Sequence, residues 1–207
     1  MRVRIPPRPP ELIFIMALLN PDKKLLAYLI GVSLGDGNLT NPNGRAVRLR
    51  VTCDKKYPLL IKTIVQLLIK VFPENKVGII NSKGCIDISL YSNQLPNLLG
   101  WKWYGGPKDR QNVGVPAWIK KDKLFIKECL RGLLQTDGSI YKDRNYQMIN
   151  FVNTAPRLSK DVFAMIKQLG YEPNIQKLHQ SNGKTKHTIR LAKKANKFIK
   201  EINFWKK

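Results

Sequence analysis

An eleven-residue phrase occurs twice in this chain. Leu29-Ile30-Gly31-Val32-Ser33-Leu34-Gly35-Asp36-Gly37-Asn38-Leu39 is echoed, 101 positions later, by Leu130-Arg131-Gly132-Leu133-Leu134-Gln135-Thr136-Asp137-Gly138-Ser139-Ile140. A repeat at that distance means two copies of a whole architecture, so it constrains the fold more than any local propensity does. Each copy closes an apolar stretch of helical spacing (Leu25, Leu26, Leu29, Val32; Leu124, Phe125, Leu130, Leu133) and stops at a glycine suited to a left-handed C-cap.

The segments downstream of each phrase repeat as well. A turn at Asn41-Pro42-Asn43-Gly44 leads to Ala46–Thr52, where Val47, Leu49 and Val51 alternate with Arg48 and Arg50; a turn at Asp143-Arg144-Asn145 leads to a second strand, Tyr146–Val152. Amphipathic helices come next, Pro58–Phe72 and Ser159–Leu169. Second hairpins turn at 81–84 and 181–184, and short apolar helices close each half, Leu95–Leu99 and Asn196–Ile202. The pattern predicts an α+β chain of two pseudo-symmetric αββαββα repeats. We place the first repeat at 16–105, a linker at 106–119 and the second repeat at 120–207, with 1–15 outside the fold.

Gly31 and Gly35 share one helix face, as do Gly132 and Thr136, and small residues four apart let two helix backbones approach closely. The two phrase helices are therefore expected to pack together and carry Asp36 and Asp137 to one end. A carboxylate at a helix C-terminus is opposed by the helix dipole, and two side by side repel each other. A divalent cation such as Mg²⁺ or Mn²⁺ resolves both costs, because carboxylate and carbonyl oxygens are hard ligands. One Asp-Gly pair alone is ordinary turn chemistry. Two in equivalent places point to a shared site.

The charge balance names the class of partner. With 37 Lys and Arg against 14 Asp and Glu the net charge is +23, spread along the chain, which suits an anionic polymer. Cys53, Cys85 and Cys129 lack any Cys-x-x-Cys spacing, so they indicate neither a disulfide framework nor a zinc site and fit a reducing cytoplasm. His179 and His187 have no matching ligand pair and are expected at the surface or facing nucleic acid. Glu11–Leu19 is too short for a membrane span and precedes no signal-peptidase site, which disfavours secretion or membrane residence. Val3-Arg4-Ile5-Pro6 is what GTTCGAATCCC would encode, a sequence similar to the T-arm of a tRNA gene. Met16 is thus a candidate initiator.

The two phrases resemble the motif of the LAGLIDADG homing endonucleases, in the monomeric form that carries two motifs, and the resemblance runs from about Asp22 onward. Gly106-Pro107-Lys108 with Val115-Pro116-Ala117-Trp118-Ile119 resembles that family's linker. The resemblance implies that Asp36 and Asp137, with the carbonyls of Gly35 and Thr136, bind divalent metal, and that both strands of double-stranded DNA are cut across the minor groove. It implies a basic residue near the metals. Lys108 matches in the first repeat, and Lys206 or Lys193 are the candidates in the second. Arg50 and its counterpart Asn150 match the strand residue that approaches the metals.

It also implies a curved antiparallel saddle whose outward side chains enter the major groove. Arg45, Arg48 and Arg50 are expected to read DNA in the first half, with Asp87 and Ser89 on its second hairpin. Tyr146, Gln147, Met148 and Asn150 are their equivalents in the second half, with Gln176, Lys186, Thr188 and Arg190. The halves differ at nearly every such position, so an asymmetric target is expected. The same fold also serves as an intron-RNA maturase or a binding-only transcription regulator. The latter usually carries an added helix-turn-helix domain.

Overall fold

The computed structural model of the chain describes residues 22–181 and 183–206. The expectations for the leader and for Met16 fall outside them. The first repeat runs α1 (Lys23–Asp36), β1 (Gly37–Thr40), β2 (Arg48–Asp54), α2 (Pro58–Val71), β3 (Gly78–Asn81), β4 (Cys85–Tyr91) and α3 (Leu95–Leu99). A 3-10 turn, Ile119–Lys121, ends the connection. The second repeat runs α4 (Lys123–Asp137), β5 (Gly138–Asp143), β6 (Tyr146–Asn153), α5 (Pro156–Gln168), β7 (Asn174–His179), β8 (Thr185–Leu191) and α6 (Ala195–Glu201). Two antiparallel sheets result, ordered β1-β2-β4-β3 and β5-β6-β8-β7. The molecule is thus the α+β pair of αββαββα units that the duplication predicts.

Both phrase helices start in the same way. The side chain of Asp22 accepts from the Lys24 N–H at 2.9 Å and that of Asp122 from the Leu124 N–H at 2.7 Å, so each N-cap satisfies a donor that the helix leaves free. Ala27 through Leu34 are all buried on α1, as a helix enclosed on every side requires. α1 packs against α4 backbone to backbone. A Cβ on Gly132 would lie 2.5 Å from the Tyr28 carbonyl oxygen and 2.7 Å from the Val32 nitrogen; one on Gly31 would strike the Cys129 carbonyl, and one on Gly35 the Thr136 hydroxyl. Only small residues permit this approach. The interface also holds a buried polar pair, in which the Tyr28 hydroxyl donates to Gln135 Oε1 at 2.6 Å and the Arg131 guanidinium lies 4.3 Å from the Tyr28 ring centroid.

The glycines that end the helices differ from expectation. Gly37 (φ −79°, ψ 144°) and Gly138 (φ −90°, ψ 163°) are extended rather than left-handed. Space explains them instead: a Cβ would stand 2.6 Å from Ser33 Cα in one case and 2.7 Å from Leu134 Cα in the other. The chain thus passes directly from helix into strand at both aspartates.

Alternation sorts the strand side chains. Leu49, Val51 and Cys53 on β2, and Ile149 and Phe151 on β6, point into the core, while Arg48, Arg50 and Thr52 face outward. The connection between repeats is tied to the second one: Asp161 on α5 accepts from the Val115 N–H at 2.8 Å and from Lys120 at 2.7 Å. Among the described residues, no helix is long and apolar enough to cross a membrane.

Candidate metal centre and nucleic-acid face

Because α1 and α4 cross through their small residues, their C-terminal residues Asp36 and Asp137 emerge side by side. Burial raises the Asp137 carboxyl to about 6, and the neighbouring Asp36 charge adds to the shift. Asp36 is the more open of the two. Burial raises it as well, against the pull of the Lys206 and Lys108 ammonium groups. Two partly desolvated carboxylates that repel each other are an incomplete electrostatic arrangement, one that a cation would complete.

Two lysines frame the pair, and each donates to the carbonyl of the residue before its aspartate. Lys108 Nζ donates to the carbonyl oxygens of Ser33, Leu34 and Gly35 at 3.0, 2.7 and 2.7 Å, and lies 5.6 Å from the Trp101 ring centroid. Lys206 Nζ donates to those of Thr136 and Gly138 at 2.6 and 3.0 Å, and lies 5.3 Å from the Tyr57 ring centroid. A cation on the last carbonyls of each motif helix opposes the negative end of its dipole. Burial lowers the Lys108 ammonium to about 8, despite the opposing fields of Asp137 and Asp36, and lowers Lys206 in the same direction.

Lys193 is not part of this group. It sits beyond β8, exposed, with its ammonium 3.5 Å from Glu172, because the chain leaves the sheet there and returns to the helix ends only after α6. The counterpart of Lys108 is Lys206.

The strand residue that meets the carboxylates also differs from the expected one. Gly37 pairs with Val51 and Gly138 with Phe151, so the positions two residues further on, Cys53 and Asn153, come level with the helix ends. Asn153 Nδ2 donates to Asp137 Oδ2 at 2.9 Å, and its Oδ1 is fixed by the Ala155 N–H at 2.8 Å. Cys53 stands in the same place by Asp36, its thiol pushed up to about 12 by burial and by that carboxylate. The two halves of the site are therefore chemically unequal. Sequence reading passed over this pair because nothing in composition marks it; the signal was register, counted from the motif glycines. Arg50 and Asn150 lie further along, on the outward face.

The donor set suits a hard divalent cation. Two carboxylates and the Gly35 and Thr136 carbonyls converge, and each carbonyl keeps a second lone pair beside its lysine bond. Among the described residues, no group of three or more His, Cys, Asp or Glu side chains could hold a metal by itself. Water and substrate oxygens would complete the shell, as Mg²⁺ commonly requires. A cleft of about 210 Å³, lined in part by Gly35, Lys108, Asn153 and Lys184, opens beside the carboxylates.

The outward sheet faces carry most of the expected DNA-reading side chains. Arg48 and Arg50 lie on one face with Ser89, which pairs with Arg50. Asn150 pairs with Arg190, whose Nε donates to Asn150 Oδ1 at 3.3 Å. The arginine and its polar partner thus exchange strands between the halves. Thr188 and Gln176 pair on the same outward face, with Lys186 two residues along β8 and Tyr146 74 % exposed at the start of β6. Asp87 is occupied by the Thr52 hydroxyl at 2.5 Å, and Arg45 lies in the loop before β2.

Three expectations fail here. Gln147 falls on the opposite face, and its Nε2 donates to the Tyr141 carbonyl at 2.8 Å within its own hairpin. Met148 has the right alternation but is 8 % exposed, covered where it pairs with Tyr141. His187 is buried at 6 %, since its parity on β8 is that of core residues Ile189 and Leu191; His179 is exposed, against the Thr185 hydroxyl.

Comparison with known proteins agrees with this architecture. The family profile described as LAGLIDADG-like domain matches residues 125–203. No curated protein matches in sequence. Among solved structures, the homing endonuclease I-DmoI in complex with DNA and Mn is similar at TM-score 0.66 and 17% identity, covering 87% of this chain and 96% of that one. Mesophilic variants of I-DmoI give the same score and identity, with 87% and 95% covered. The N-terminal LAGLIDADG domain of DUF199/WhiA is similar at TM-score 0.61 and 13% identity, covering 99% of this chain and 97% of that one. The second half thus matches a LAGLIDADG-like domain, the first half repeats its helix, sheet and aspartate, and the chain as a whole has the same two-repeat fold as these structures.

Proposed function

We propose that the chain is a site-specific double-strand DNA endonuclease, a homing endonuclease in role, which acts as a monomer on a long asymmetric target and hydrolyses phosphodiesters across the minor groove. The observation that carries this reading is the convergence of Asp36 and Asp137, one from each repeat, with Lys108 and Lys206 on the same helix ends. Two partly desolvated, mutually repelling carboxylates brought together at one place suit a metal-dependent nuclease better than a binding module. That the similar I-DmoI structure is a complex with DNA and Mn supports the same reading.

Asp36, Asp137 and the Gly35 and Thr136 carbonyls would hold Mg²⁺ or Mn²⁺, which when bound supplies charge neutralisation and water activation. Asn153 orients the Asp137 carboxylate. Lys108, lowered toward neutrality, exchanges a proton near the reacting phosphate readily and places positive charge where the transition state becomes more anionic. The outward arginines set position and base preference, and the +23 charge supplies affinity through counterion release.

The test is Mg²⁺-dependent cleavage of a randomised DNA target library, with Asp36→Asn and Asp137→Asn as controls. Cutting that both substitutions abolish is the expected result. Tight binding without cutting would favour the binding-only reading, to which the likeness to the DUF199/WhiA domain lends support. Intron-RNA binding without cutting would favour a maturase.

A further inference from the structure

The route by which each half delivers its lysine differs. Lys206 comes five residues after the end of α6 at Glu201, but Lys108 comes nine after the end of α3 at Leu99. The first half thus spends four more residues than the second half needs, and they fall within Trp101-Lys102-Trp103-Tyr104-Gly105-Gly106.

This excursion is braced rather than loose. Gln111 accepts from the Lys102 N–H at 3.0 Å and donates to the carbonyls of Lys102 at 3.0 Å and Gly106 at 2.8 Å. Gly105 and Gly106 take the left-handed conformations (φ 91° and 86°) that let the chain fold back on this brace. Trp101 anchors it from below at 5 % exposure, while Trp103 and Tyr104 are held at 42 % and 52 % exposure, edge to face with centroids 5.0 Å apart. Lys102 Nζ lies 5.1 Å from the Tyr104 ring centroid. A pre-organised loop that displays two aromatic rings to water is built for a ligand with a flat face.

Its position says which. A cleft of about 130 Å³ separates the loop from the start of β1, and Trp101, Lys102, Trp103 and Lys108 line it opposite Gly37 and Asn38. Gly37 directly succeeds Asp36 of the metal centre, and Asn38 pairs with the outward-facing Arg50. A DNA strand that runs along the first sheet to the carboxylates passes this cleft. We infer that the 101–106 loop is a one-sided clasp that stacks a nucleobase of the bound DNA on Trp103 and Tyr104, next to the scissile phosphate on the first-repeat side, with Lys102 on the adjoining backbone. This rests on the reading that the chain binds DNA, and goes beyond it by assigning a base-stacking subsite that the second repeat lacks.

The probe is a DNA duplex recovered from a random library by the wild-type chain, with 2-aminopurine placed singly through its middle. Trp103→Ala should weaken binding on the order of tenfold, as loss of one base–aromatic stack does, while Trp103→Phe keeps most of the affinity. Lys102→Ala should instead lower the salt dependence by about one phosphate contact. DNA should quench wild-type tryptophan fluorescence more than that of Trp103→Phe, with 2-aminopurine responding on one side of the centre only. If Trp103→Ala binds and cuts like wild type, the clasp is overturned and the nuclease stands. Stacking without cutting sustains the clasp and overturns the nuclease. Quenching by structured RNA but not by DNA overturns the clasp as well.

Discussion

The ammonium of Lys206 lies 2.6 Å from the carbonyl oxygen of Thr136, the last residue before Asp137, and so stands to the second helix as Lys108 stands to the first. The equivalence predicts equal importance. Lys108→Met and Lys206→Met should each lower single-turnover cleavage by on the order of a hundredfold, the usual loss when one positioned electrostatic group is removed. DNA affinity should change little. Lys193→Met should cut normally, and a defect as large as that of Lys206→Met would contradict the assignment.

Asp137 has a pH signature. Its folded pKa of about 6 lies above the ordinary value of 3.8, so the folded chain binds more protons than the unfolded one between those values, and stability falls as pH rises through that window. In EDTA, wild type should therefore lose stability relative to Asp137→Asn between about pH 4 and 6, leaving the variant ahead by about 1–2 kcal/mol at pH 7, a figure reduced for partial exposure. Thermal melts across pH check this. Adding Mg²⁺ should raise the wild-type melting temperature more at pH 7 than at pH 5, because the ligand must be ionised.

Gly132→Ala should be severely destabilising, by about 2–4 kcal/mol, since its Cβ would press on backbone atoms of α1 that have nowhere to move. Gly84→Ala offers the comparison. Its φ of 80° strains any side chain, but the space is open, so about 1 kcal/mol is expected. Denaturant unfolding of both variants measures the difference.

Tyr28 and Gln135 form a coupled buried pair. Tyr28→Phe leaves the Gln135 carboxamide without its donor and should cost about 1–2 kcal/mol, whereas Tyr28→Phe with Gln135→Leu should recover most of that loss. A double-mutant cycle with a coupling energy near zero would refute the linkage.

The strand exchange between Arg50–Ser89 and Asn150–Arg190 predicts unlike base preferences in the two half-sites. Arg50→Ala and Arg190→Ala should each relax selectivity at different positions, by about 1–3 kcal/mol per base pair. Selection from a random DNA library reads this directly.

The sequence by itself determined what is periodic or repeated. The duplicated phrase located both motif helices, both aspartates and the order of elements, because copies of one sequence must solve the same packing problem. The small residues at 31, 35, 132 and 136 announced a close helix crossing, since only absent or short side chains allow it. Tertiary structure decided what depends on where strands and loops stop. Strand parity moved Gln147 and His187 off the outward face, and burial took Met148 out of reach. Register brought Cys53 and Asn153, rather than Arg50 and Asn150, level with the carboxylates. The choice of Lys206 over Lys193 came from the path of the chain after β8, which no local pattern encodes. Gly37 and Gly138 read as left-handed caps from their place in sequence, yet they are glycines because the preceding helix turn leaves no room for a Cβ. Residue types near a site follow from the chain's own chemistry, but which of them touch is set by contacts between segments far apart in sequence.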